Sequence, residues 1–156
     1  MTIATNKYKF YMQEISNGLL VPTTRKDLEH DFEGLRYISA KGINSIGKAR
    51  IFTETYADSD RVRAYVPETI TNESTTVTFT FYFFGENRQK TYDEFNEYIR
   101  HGVHRYWDTA RNKYFEFVME NSIEVKEEKW YLGTPYLSVE YKVKNLNGKT
   151  FDVDFE

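Results

Sequence analysis

Apolar and polar residues alternate most regularly in Thr75–Phe84. Val77, Phe79, Phe81 and Phe83 fall on one face, and Thr76, Thr78, Thr80 and Tyr82 on the other. A period of two in a run of β-branched and aromatic residues predicts a strand with one buried face. Gly85-Glu86-Asn87 ends it, and the spacing then turns helical at about 91–101. There Phe95, Tyr98 and Ile99 make an apolar stripe, Thr91 and Glu94 match a capping box, and Arg100 and His101 oppose the helix dipole. Gly102 supplies a left-handed stop. Strand patterning resumes at Val103–Asp108 and Tyr114–Met119.

Before this stretch, Lys7–Ile15 reads as a strand with Tyr8, Phe10 and Met12 on one face, closed by the turn signal Asn17-Gly18. Residues 19–34 read as a mobile loop with one helical turn, in which Leu28 and Phe32 lie four apart. The charge order there, basic first and acidic last, opposes a longer helix. Leu35–Ala40 is a strand, and residues 41–48 carry two glycines and read as a second mobile loop. Its glycines do not have the phosphate-loop spacing, and no Gly-Lys-Ser/Thr follows. Ala49–Tyr56 and Arg61–Val66 form a hairpin with one polar face.

After Met119, Ile123 and Val125 alternate with Glu124 and Lys126. The charged run Lys126–Lys129 shifts the register before Trp130 and Tyr131, which predicts a bulge or bend. Gly133-Thr134-Pro135 turns the chain into Tyr136–Lys144, with Leu137, Val139, Tyr141 and Val143 inward. Asn147-Gly148 is a hairpin signal, and residues 151–156 read as an edge strand or an arm. About eight strands and one helix, with no linker or repeat, predict a single domain spanning 1–156. Its class is α+β, mainly β: an antiparallel β-sandwich or split barrel with one flanking α-helix.

Composition narrows the function. Aromatic residues make up 17% of the chain, with 13 Tyr and 12 Phe, which suits a pleated core and contact surfaces alike. Both signs of charge are interspersed along the chain, and the net charge of −3 arises in its second half, so no basic face for sequence-specific nucleic-acid binding stands out. Cysteine is absent, which excludes disulfide and thiolate chemistry. No apolar run approaches a membrane span, and the N-terminus does not read as a signal peptide.

Candidate chemistry is sparse. Glu97, His101 and His104 have ligand-type spacing near a helix end, but a stop at Gly102 separates the two histidines, and the cap role explains His101 without a metal. Asp108 and Arg111 flank a turn, where an exposed pair contributes little. Trp107 and Trp130 offer rings for stacking on sugars, although a strand Trp is more often core. Paired hydrolytic carboxylates do not emerge, because Asp and Glu fall at outward positions or in turns, and no nucleophile-elbow pattern occurs. No catalytic, cofactor-binding or metal residue is assigned, and the chain is read as a non-enzyme.

The succession of the Thr75–Phe84 strand, the Tyr92–His101 helix, Tyr106-Trp107-Asp108, Tyr114–Met119, Glu127-Glu128-Lys129-Trp130-Tyr131 and Tyr136–Val143 resembles tail structural proteins of long-tailed phages and prophages. The likeness is to the tail tube and distal tail group, and it covers about residues 35–150. It implies a β-sandwich or split barrel that carries no catalytic residue and no cofactor. It also implies self-assembly into a homo-oligomeric ring or tube that contacts other tail proteins, and a place in the virion tail after synthesis in the host cytoplasm. The alternative is a monomeric β-barrel binding module for an apolar ligand or glycan, with a deep cavity lined by Phe and Tyr.

Overall fold

The computed structural model describes residues 6–49, 52–55, 62–65, 72–120 and 123–153. Its elements in chain order are β1 (Phe10–Ser16), β2 (Leu19–Leu20), a 3-10 turn (Pro22–Thr24), β3 (Lys26–Asp27), α1 (Leu28–Asp31), β4 (Leu35–Lys41), β5 (Phe52–Thr55) and β6 (Val62–Tyr65). Then come β7 (Thr75–Phe84), α2 (Arg88–Ile99), β8 (Val103–Asp108), β9 (Lys113–Val118), β10 (Glu124–Tyr131), β11 (Thr134–Asn145) and β12 (Phe151–Asp152). The class is α+β, mainly β, as the alternation predicts. Ten strands share one sheet, and β5 and β6 pair separately. Every strand pairing among the described residues is antiparallel.

The path through the large sheet runs β2-β1-β8-β9-β11-β7-β4. β7 lies between β11 and β4, and its four inward residues meet apolar partners: Val77 opposite Val143, Phe79 opposite Tyr141, Phe81 opposite Val139 and Tyr37, Phe83 opposite Leu137 and Leu35. The same face continues through Phe115 and Phe117 on β9, Tyr106 on β8, and Phe10 and Met12 on β1, all buried in one core. Rings from opposite parts of the path touch there: Phe79 lies 5.0 Å from Tyr106 and 6.0 Å from Phe115, and Phe10 stacks on Tyr37 at 3.8 Å. The sheet therefore curls around its own aromatic face. Tyr8, expected on the inner face of the first strand, precedes β1 and is exposed.

α2 covers the curled face. A 12-residue helix is marginal in water, so packing decides its position. Phe95 and Ile99 are fully buried, and the Phe95 ring meets Phe81, Tyr141 and Phe32 at 5.1–5.4 Å. The helix begins at Arg88 rather than near Thr91. The Arg88 amide bonds the Gly85 carbonyl and the Thr91 amide bonds that of Asn87, so Thr91 lies inside the helix, buried, and no capping box forms. Gly102 takes φ +77 after the last turn, the left-handed stop expected of it.

Other expectations change with tertiary context. Residues 19–34 carry β2, the 3-10 turn, β3 and α1, and Leu28 and Phe32 are buried in the core. In residues 41–48, Ile43 is buried and the Gly47 amide bonds the Gly148 carbonyl. Asn147-Gly148 does not form a hairpin: β12 pairs with β9, with Phe151 opposite Tyr114. The end of β11 already has β7 on one edge and β9 on the other, so no edge is open to a returning strand. The buried Asn145 carboxamide accepts the Asn147 and Gly148 amides instead and turns the chain away. The bulge expected in the charged run is present between Val125 and Glu127. Arg61 and residues 154–156 lie outside the described residues.

Candidate functional site

A gathering of ionisable groups lies at the C-terminal end of α2. Glu14 from β1, Lys26 from β3, Asp31 and Phe32 from α1 and its exit, and Glu94, Glu97, Tyr98 and His101 line an open cleft of about 440 Å³. His101 Nδ1 lies 2.7 Å from Glu14 Oε1. The Tyr98 hydroxyl donates to the Thr24 carbonyl at 2.7 Å, and burial, with Glu14 and Asp31 nearby, pushes its phenol above the usual range. Burial acts to raise the Asp31 carboxyl too, but the Asp27 amide and His30 outweigh it and hold it below its ordinary value. A carboxyl held ionised in this way is a poor proton donor at neutral pH.

His104, expected near His101, points elsewhere. It is fully buried beneath the cleft, with its ring edge-on to Tyr98 at 4.8 Å and stacked with Phe117 at 5.7 Å. Neither ring nitrogen has a hydrogen-bond partner. Burial pushes its pKa down to about 4. Glu14 and the nearby backbone of Gly102 and Tyr98 oppose this incompletely, and His101 adds to it. Glu97, His101 and His104 thus do not share a face. Among the described residues no three His, Asp or Glu side chains converge as metal ligands.

Asp108 differs from its expected exposed role. It is buried at the end of β8, where its carboxylate accepts the Arg111 guanidinium at 2.8 Å and the Arg111 amide at 2.7 Å. The Tyr106 hydroxyl donates to it at 2.8 Å and lies 3.0 Å from the Tyr37 hydroxyl. Burial drives the Tyr106 and Tyr37 phenols upward. This network ties the β8–β9 turn to β4. Nothing in the sequence marks Tyr37 and Tyr106 as a pair, because they come from distant strands.

The two tryptophans separate. Trp107 is buried on the outer face of the sheet, stacked on Tyr11 with the Arg25 guanidinium 5.3 Å away, and has no face free for a sugar. Trp130, expected to be core, is 65% exposed. It sits on β10, whose side chains from Glu124 to Trp130 are all exposed; this strand has β11 along one edge and, among the described residues, no strand along the other. The two-residue turn after it, Leu132-Gly133, has φ +49 and +84, so an apolar side chain that is 73% exposed occupies a left-handed position. Such a position favours Asn or Gly, and another residue costs about 1–2 kcal/mol there. Leu132→Asn is expected to raise stability by about 1 kcal/mol in urea denaturation. An unchanged or lower midpoint would show that Leu132 is not strained.

On the outer face behind this arm, Tyr136 packs at 4.8 Å from Tyr82 and 5.0 Å from Phe84, forming a half-exposed aromatic ladder. No protein-family model matches the chain, and no curated protein matches its sequence.

Proposed function

We propose that the chain is a non-enzymatic structural subunit of a phage or prophage tail that assembles with copies of itself, and with other tail proteins, into a ring or tube of the virion. The supporting observation is where exposed apolar side chains sit. Leu19, on β2, and Ile46, in the connection that follows β4, are each 73% exposed. Large apolar side chains held in water gain free energy when a neighbouring surface buries them. The cleft argues little for catalysis, since Glu94 and Glu97 are exposed, Glu14 is paired with His101 and Asp31 is held ionised. Concentrated protein imaged by negative-stain electron microscopy is expected to show rings or tubes. Monodisperse monomers at high concentration would overturn the reading.

The second reading, a binding module, takes a different form from the one expected. The inward positions of β1, β4, β7, β8, β9 and β11 are filled by packed rings, which leaves the outer ladder of Tyr82, Phe84 and Tyr136 as the surface suited to stacking on a glycan. Retention on immobilised polysaccharide that Tyr136→Ala abolishes would favour it.

A further inference from the structure

β10 pairs with β11 along one edge and, among the described residues, with no strand along the other. We propose that this open edge docks a second copy of the same chain. The two β10 strands pair antiparallel about a two-fold axis, with Glu124 of each copy opposite Lys129 of the other. The contact goes beyond the assembly reading and stands apart from it, because a two-fold contact closes on itself and builds no ring.

The register follows from the bulge. Glu124, Glu127 and Lys129 lie opposite Glu140, Ser138 and Tyr136, on the outer face. Val125, Glu128 and Trp130 lie opposite Val139, Leu137 and Pro135, on the inner face. Lys126 is the extra residue, so the face alternation flips across it. Cross-strand neighbours must share a face. In a self-paired strand carrying this flip, faces agree when Glu124 meets Lys129, Val125 meets Glu128 and Lys126 meets Glu127, each pair occurring twice. Two of the three are opposite charges, and Trp130 comes beside Ile123 of the other copy.

Neighbouring registers fail. Moving the axis by one residue sets Lys126 against Lys129 in one direction and Glu124 against Glu127 in the other. Moving it by half a residue sets inner positions against outer ones. Parallel in-register pairing puts each charge on its like. Lys126 already pairs with Glu124 and Glu140, and Lys129 with Glu127, so the second copy extends an ion-pair network that exists in one chain. Bulges and lysines ordinarily blunt an edge. Here they leave a single complementary register, and Trp130 and Val125, 65% and 44% exposed, are the apolar side chains that pairing covers. One strand edge buries less than the ~1,200 Å² of standard interfaces, so the dimer is concentration-dependent.

The test is sedimentation velocity on the full chain over a concentration series. Glu124→Lys and Lys129→Glu are each expected to weaken the wild-type dimer about tenfold, because each sets like charges opposite one another twice. An equimolar mixture of the two variants is expected to recover the wild-type constant, since the mixed dimer regains opposite charges at both positions. Trp130 emission should shift to the blue with concentration in the wild type and in the mixture, but not in either variant alone. Both positions are exposed, and matching thermal midpoints confirm folding. Variants that associate like the wild type, a mixture that fails to recover, or a wild type that stays monomeric at millimolar concentration would overturn the contact. Rings formed equally by wild type and variants would retain the assembly reading and reject this edge. A rescued dimer that never forms rings would do the reverse.

Discussion

Asp108→Ala is expected to lower the unfolding free energy by about 3–4 kcal/mol. The Asp108 carboxylate is fully buried, and it is the shared acceptor for the Arg111 guanidinium, the Arg111 amide and the Tyr106 hydroxyl. Removing it leaves a phenol pressed among rings, with only the Tyr37 hydroxyl in reach, and a guanidinium without its counter-charge. Breaking a buried pair from one side costs about 3–5 kcal/mol, and the lower part of that range applies because the Arg111 side chain is 34% exposed and regains some water. A loss of this size is a large share of the ~5–15 kcal/mol that holds a domain folded.

The measurement is the urea midpoint at constant slope. Arg111→Ala should also destabilise the protein, and the double variant should lose less than the sum of the two, because both act on one network. A cost for Asp108→Ala below about 1 kcal/mol would show that the network does not hold the β8–β9 turn to β4.

Acid is expected to remove about 3 kcal/mol of stability through His104 alone. The unfolded imidazole titrates near its ordinary 6.5, whereas burial pushes the folded one down to about 4. Between those values the unfolded chain binds the extra proton, so stability falls as pH drops from 6.5 to about 4, and the loss is complete below that. Each pH unit in the window is worth ~1.4 kcal/mol. The groups that face His104 are Glu14, His101 and Tyr98. His104→Phe keeps a ring against Phe117 and Tyr98 and removes the proton site. The difference between wild type and this variant should grow steadily from pH 6.5 to 4, while carboxylates that titrate in both cancel. Parallel pH curves for the two proteins would show that His104 does not remain neutral in the folded state.

These two residues mark the boundary of what local pattern can reveal. Asp108 reads from its neighbours as a turn residue, and it is one: its carboxylate does cap the Arg111 amide. Its burial depends on Tyr37, which arrives from β4, far away along the chain. His104 follows a predicted helix stop and looks like a companion of His101. The alternation of β8 turns it inward, while His101 stays at the helix end beside Glu14. The acidic cleft was not legible for the same reason, since Glu14, Lys26, Asp31 and Glu97 belong to four separate segments that meet only when α2 lies down on β1 and α1.

Alternation and periodicity along the chain by themselves determined the mainly β class, the inward faces of β7 and β11, the apolar stripe of α2 with its stop at Gly102, and the bulge in β10. Each of these follows from side chains a few residues apart. Tertiary structure alone decided that β12 joins β9 instead of folding back from Asn147-Gly148, that Trp107 is covered while Trp130 is bare, and that Asp108 and His104 are sealed from water. Those outcomes depend on which strand edge is already occupied and which surface another segment covers, and both are set only when distant parts of the chain compete for the same neighbours.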